Sequence, residues 1–156
     1  VPDPAFSLYI PKIDAVGKII SVDPYDKDRY MEALSQGIAH AQNSGLPNTS
    51  NSTIFLFAHS TDSPLNVTRY NAVFYLLREL EAGDELFIAY QNKPYRYVVY
   101  DKKIVEPTDV SYLKPSNDLG IEQVILQTCW PPGTVQKRLL IFAQRKNVEQ
   151  ALVLPR

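Results

Sequence analysis

The 156 residues suit one average domain, and 45% hydrophobic with 21% charged residues is the composition of a folded globular chain, which argues against disorder as the main state. Sixteen Lys and Arg against seventeen Asp and Glu leave a formal charge of -1, which supplies no field to draw in nucleic acid or an anionic bilayer. No apolar run approaches the ~18 residues of a membrane span, and a single cysteine, Cys129, excludes an internal disulfide and any zinc site of the Cys-x-x-Cys kind.

Gly is scarce at 6 and Pro plentiful at 12, and the prolines fall mostly between apolar runs, so short elements joined by turns are expected. Residues 7–13 and 17–21 read as short strands, with Pro11 turning the first into an edge or a bend. Asp28 is placed to cap a helix over 29–36, where Tyr30, Ala33, Leu34 and Gly37 recur at helical spacing. Residues 43–52 form a loop on composition and feed the apolar run Thr53–Ala58, a buried central strand ending at His59. After a second loop at 60–68, Tyr70, Val73, Phe74 and Leu77 make a core-facing stripe on a two-turn helix, and Gly83-Asp84 marks the turn out of it.

From residue 85 the pattern turns to β. Leu86–Tyr90 and Tyr95–Val105, joined by a turn at Asn92-Lys93-Pro94, predict a hairpin, and Ile121–Thr128 and Arg138–Gln144 complete the set. Seven or eight strands with two short helices and no βαβ rhythm predict a mainly β, mostly antiparallel and barrel-like sheet in one domain over 1–156. Sequons beginning at Asn48, Asn51 and Asn66 fit exposed loops and carry no function in a cell without the glycosylation machinery. Val1 is not an initiator Met and no signal pattern precedes it, so the chain reads as an excised domain whose targeting segment lies elsewhere.

Cysteine catalysis needs a thiolate, a group that holds or donates a proton beside it, and donors for the oxyanion formed at the attacked carbonyl. Cys129 closes one predicted strand, His59 closes another 70 residues earlier, and Arg138 opens the next strand nine residues later, past a Pro-Pro-Gly turn. Strand ends can gather the three on one rim. Singly, each has a plainer reading: the cysteine as a small buried hydrophobe, the histidine as a hydrogen-bonded strand end, and the arginine as a snorkelling or paired residue, like Arg69, Arg78 and Arg145. His40 keeps that plainer reading. A metal site from His40, His59 and Cys129 has spacing too scattered for a ligand set, so none is expected.

At these residues the chain resembles the sortases, cysteine transpeptidases of the Gram-positive type of cell surface. Leu126-Gln127-Thr128-Cys129 resembles the family's Thr-Leu-x-Thr-Cys signature, with Ile125 where its first Thr stands, and Lys137-Arg138-Leu139-Leu140-Ile141 resembles its arginine at the head of the last strand. Phe57-Ala58-His59-Ser60 is similar to the family's strand-end histidine, Ile10-Pro11-Lys12-Ile13 to its opening strand, and Gly37-Ile38-Ala39-His40 to a segment before the histidine loop that often carries a second, noncatalytic histidine. The landmarks run in order from residue 10 to about 145. Asp23-Pro24-Tyr25 has the letters of the lid of some pilus-building members but follows the opening strand, so it reads as a turn.

The resemblance implies a sortase-like seven- or eight-stranded β-barrel and a two-step acyl transfer. Cys129 attacks the Thr carbonyl of a Leu-Pro-x-Thr-Gly-like sorting signal, His59 handles the proton, Arg138 supplies fixed charge and donors, and an amine of a wall peptide precursor or a pilin lysine resolves the thioester. Thr128, Trp130 and Ser60 are candidates for substrate contact, Trp130 having an equally simple reading as an aromatic packed over a turn. Loops 43–52, 60–68 and 106–120 are candidates to line an apolar groove. No cofactor is expected, no motif encodes a calcium dependence, and the molecule is expected to be a monomer at the bacterial surface, anchored to the membrane by a segment outside this chain. The rivals are a noncatalytic β-barrel binding module and a cysteine peptidase that only hydrolyses.

Overall fold

A computed structural model describes residues 4–49, 51–59, 74, 76–109, 120–131 and 136–146. Eight strands close into a barrel: β1 (Phe6–Ile10), β2 (Ala15–Val22), β3 (Ile38–Ala41), β4 (Thr53–Phe57), β5 (Glu85–Tyr90), β6 (Lys93–Val105), β7 (Gln123–Trp130) and β8 (Lys137–Lys146), in the order β1-β2-β3-β4-β7-β8-β6-β5. The predicted mainly β barrel is thus the observed one.

Local differences have physical causes. The first strand stops at Ile10 because Pro11 opens a 3-10 turn over Pro11–Ile13, ended by Asp14 in the left-handed region at φ 51°. Helix α1 (Lys27–Gln36) starts two residues before the predicted 29, and its cap is Asp26, whose side chain accepts from Arg29 N at 3.2 Å, rather than Asp28, which lies in the first turn. The hairpin turn is Gln91-Asn92, both at positive φ, so Pro94 falls inside β6 opposite Ala89 and not in the turn. Residues Tyr70 and Val73 of the predicted second helix lie outside the described residues; Phe74 is fully buried and Leu77–Glu79 is a 3-10 turn.

One β-α-β unit is present where no such rhythm was legible. β2 and β3 run parallel, Ile19 beside Ile38 and Val22 beside Ala41, with α1 crossing between them. β3 is four residues long and buried throughout, so it has neither the length nor the alternation that announces a strand. Gly37 is needed at the helix-to-strand junction, since a Cβ there would lie 2.6 Å from Lys18 O.

Alternation sorts the strands into two faces. Leu8, Ile10, Ile54, Leu56, Leu86, Ile88, Tyr97, Val124, Leu126 and Ile141 fill the barrel, while Ala41, Phe55, Ile125, Leu140 and Phe142 form a separate buried cluster on its outer wall. α1 covers a third cluster with Ala33, Leu34, Ala39 and Val22.

Two buried polar clusters hold the chain between β3 and β4. His40, 1% exposed, donates from Nε2 to Gly45 O at 2.7 Å and accepts at Nδ1 from Ser21 Oγ at 2.8 Å, the tautomer that a carbonyl partner requires. The histidine is therefore structural, as its plainer reading had it. Glu122, also buried, accepts from Tyr97 Oη, from Asn48 N at 3.0 Å and from Arg145 Nη1 at 2.9 Å, and Arg145 stacks 4.8 Å over the Tyr95 ring. Burial, reinforced by the Glu122 carboxylate, pushes the Tyr97 phenol well up, so it remains a donor at any working pH.

Burial lowers the pKa of His40 below 6.5, partly offset by the Gly45 carbonyl, and burial also lowers that of His59. Both rings then bind protons more readily in the unfolded chain. Their contribution to stability is full above about 6.5 and is lost as the pH falls through that value toward the folded ones. The melting temperature is expected to drop between pH 7 and 5, and His40→Gln should flatten that slope when the two proteins are scanned in parallel.

Candidate active site

The site follows from strand register. β4 and β7 run parallel at a constant offset of 70 residues, Thr53 beside Gln123 through Phe57 beside Gln127. Continued two residues, the same offset sets His59 beside Cys129. β7 and β8 are antiparallel, and Cys129 pairs directly with Arg138. Cys129 and Arg138 are thus direct neighbours on β7 and β8, where adjacent strands lie about 4.8 Å apart, and His59 follows the end of β4 by two residues at the level that the offset assigns to Cys129.

Their face is fixed by their neighbours. Ala58, Leu126 and Leu139 point into the barrel core, so His59, Cys129 and Arg138, each one step out of phase with these, fall on the outer wall. Below them on that wall come Phe57, Gln127, Leu140 and Lys103, then Phe55, Ile125, Phe142 and Asp101. The candidate residues lie above a largely apolar floor, with Lys103 Nζ 5.3 Å over the Phe142 ring and Tyr30 edge-on to Phe57 at 5.9 Å.

Cys129 and Arg138 are partly exposed, and Arg138 Nη1 donates to Lys137 O at 3.1 Å. His59 is half-buried, and that burial favours its neutral form, so any charge on the ring must come from a neighbour that stabilises it. The backbone here is tied from two sides. Ala58 N reaches Gln127 O at 3.3 Å and Ala58 O accepts from Thr128 Oγ1 at 2.9 Å, while His59 O accepts from Phe74 N at 3.2 Å.

The other expected site residues divide. Thr128 is 4% exposed with its hydroxyl committed to Ala58 O on the inner side of the wall. Trp130 packs against the barrel core and, with Arg78, Glu79, Lys102, Lys103, Ile104 and Leu139, lines a cavity of about 430 Å³ at the barrel mouth, across the wall from Cys129. Ser60 lies outside the described residues. The 43–52 loop is tied at the start of β4 and β7, through Gly45 N to Thr53 O and Gln123 N to Ser52 O, so it sits at the end opposite His59 and Cys129 rather than flanking them. Loop 60–68 and residues 110–119 lie outside the described set. The outward residues Phe57, Gln127 and Leu140 are not singled out from the sequence; the signal for Phe57 and Leu140 is the unbroken apolar runs 54–58 and 139–143, too apolar for strands with one wet face, and Gln127 carries none.

Among the described residues no three His, Cys, Asp or Glu side chains are grouped to hold a metal, and no helix is long and apolar enough to cross a membrane.

Comparison with known proteins bears on the same span. A family model for the Sortase domain matches residues 8–146. Sortase D of Bacillus subtilis (strain 168) is 30% identical over 141 residues, which are 88% of this chain and 62% of that relative, so the chain spans less than two thirds of its length. Among solved structures, sortase C-1 from Actinomyces oris is similar at 25% identity and a TM-score of 0.77, covering 93% of this chain and 75% of the other. A pilus-related sortase C of Group B Streptococcus is similar at 25% identity and 0.76, covering 94% and 69%.

Proposed function

This chain belongs to the sortase family, and we propose that it is a cysteine transpeptidase acting on a Leu-Pro-x-Thr-Gly-like sorting signal. The observation that supports the reading is the direct pairing of Cys129 with Arg138 together with the 70-residue offset of β4 and β7, which carried past Phe57 brings His59 level with them above an apolar floor. Cys129 attacks the Thr carbonyl as a thiolate, and the electron pair moves to the carbonyl oxygen, where Arg138 and backbone N–H groups donate. The oxyanion collapses, the Thr–Gly C–N bond breaks, and His59 as imidazolium gives its proton to the departing Gly amine. An acceptor amine then attacks the thioester, passes its proton to the now neutral His59, and the C–S bond breaks to return the thiolate.

The acceptor is an amine of a wall peptide precursor or a pilin lysine, the latter in keeping with the pilus-related structure above. The site of action is the outer surface of a bacterial cytoplasmic membrane, to which the protein is anchored. Thr128 acts by holding β4 to β7, so that His59 stays level with Cys129; Ser60, next to His59 in sequence, is a contact for substrate, whereas Trp130 packs on the inner side of the wall.

The test is mass spectrometry of products from a Leu-Pro-x-Thr-Gly peptide library with and without triglycine. Cleaved, glycine-extended peptide is expected. Water-cleaved product alone in both arms would establish the peptidase, and no turnover by folded protein the binding module. Thr128→Val removes one buried hydroxyl bond, which should lower stability by about 1 kcal/mol in urea titration and reduce kcat/KM by roughly tenfold.

A further inference from the structure

The catalytic end of the barrel is stoppered by Phe74, Leu77 and Leu80, all fully buried in the inner core. Leu77 N donates to Phe74 O at 3.1 Å, Glu79 N to Leu76 O at 2.9 Å and Leu80 N to Leu77 O at 3.2 Å, which makes this stopper one hydrogen-bonded unit. On one side it reaches the catalytic row, where Phe74 N donates to His59 O at 3.2 Å. On the other it meets Lys102, whose Nζ donates to Arg78 O at 2.9 Å and to Glu81 Oε2 at 2.7 Å.

Lys102 is there because β6 carries a bulge. Tyr95, Tyr97 and Val99 point into the barrel, and unbroken alternation would turn Asp101 inward and Lys102 out. The register instead shifts between Val99 and Asp101, so that Asp101 opposes the outward Phe142 and Lys102 opposes the inward Ile141. A one-residue bulge of this kind re-aims the side chains that follow it. It delivers a lysine to the barrel mouth where it meets the Arg78 carbonyl of the stopper and the Glu81 side chain.

We propose that Lys102 is a positioning residue for His59: the β6 bulge aims it at the mouth, its ammonium latches the stopper through Arg78 O and Glu81, and the stopper's Phe74 N–H holds the His59 backbone. The proposal rests on the reading of His59 as the proton carrier. The last ladder pair of β4 is Phe57 with Gln127, and Ala58 N reaches Gln127 O at 3.3 Å; beyond that point, among the described residues, Phe74 N is a backbone tie on His59 itself. A shift of about 1 Å at a catalytic group can cost about a hundredfold in rate. The Lys102–Glu81 pair is 30% and 66% exposed at its side chains, so its loss should cost little stability. The latch thus separates position from stability.

The test compares wild type with Lys102→Met, which keeps the apolar stem, Lys102→Arg and Glu81→Gln. Three quantities are read: kcat and KM with a sorting-signal peptide, the melting temperature, and the NMR titration of His59 in protein without substrate, whose facing groups Cys129 and Arg138 are untouched. Lys102→Met is expected to lower kcat by about tenfold with KM nearly constant, to leave the melting temperature within about 2 °C, and to move the His59 titration. Lys102→Arg should restore most of kcat, and Glu81→Gln, which spares the Arg78 O bond, should give a smaller change in the same direction. Wild-type kcat and His59 titration in Lys102→Met would overturn the proposal, as would a loss of kcat that merely follows the melting temperature while the titration stays in place. Should the wild type turn over no sorting peptide, the transpeptidase reading fails, and the His59 titration still decides the latch.

Discussion

Cys129→Ala is expected to erase both cleavage and transfer, by about 10⁴-fold or more, because no other side chain in the row can form the thioester. His59→Ala should lose about 10³-fold, since the departing Gly amine then has no acid and the thiolate no proton partner. Arg138→Ala should lose about 10²- to 10³-fold, and Arg138→Lys should recover little, because an ammonium cannot reproduce the planar fork of donors offered to an oxyanion or a peptide carbonyl. Intact-mass detection of the acyl-enzyme separates the roles: Cys129→Ala forms none, while His59→Ala and Arg138→Ala form it slowly. The three losses should not add in combination, because each residue serves the same transition state. Folded variants with undiminished turnover would sink the assignment.

Glu122→Ala should be the most damaging change away from the active site. It strands three donors at once: the Tyr97 hydroxyl, Asn48 N–H and the Arg145 guanidinium. Breaking a buried pair by removing one partner costs about 3–5 kcal/mol, and Arg145 at 28% side-chain exposure can recover some hydration, so about 3 kcal/mol is expected. The urea midpoint should fall with the slope unchanged. Glu122→Gln keeps an acceptor and should lose less. Because this cluster lies at the end of β7 opposite Cys129, the fraction that remains folded should keep its kcat, which a normal midpoint in Glu122→Ala or a matching fall in kcat would contradict.

Much of this architecture was legible in residue pattern. The alternation and β-branched content of β5 and β6, and the apolar runs of β4, β7 and β8, stand in the sequence and became strands within a residue or two of their expected limits. What pattern could not give was pairing. Nothing local in Thr53–Phe57 says that its partner is Gln123–Gln127, 70 residues on and parallel. Yet that pairing, carried past Phe57, brings His59 level with Cys129, where residue pattern alone offered only strand ends that can share a rim and the family resemblance implied a catalytic trio. β3 escaped because four buried residues carry no period, and the β6 bulge escaped because Val99-Tyr100-Asp101 reads as an ordinary strand. Asp26 and Asp28 compete for the α1 cap with nothing in the sequence to choose between them; the chain's exit from the β2 turn decided for the first.

Closure of the barrel also dictates how a peptide can be read. Each of the eight strands has a neighbour on both sides, so among the described residues no strand stands as an edge along its whole length. Recognition by adding a full strand to a sheet edge, the route that lets many domains grip an extended peptide through its main chain, is disfavoured by that closure. On the proposed function, a peptide lies across the strands and is held by side chains and loop segments. Main-chain gripping tolerates almost any sequence, whereas side-chain gripping demands particular letters. A closed sheet of this kind is therefore built to read a short, fixed word, and to change that word by altering what surrounds the barrel while the barrel itself stays the same.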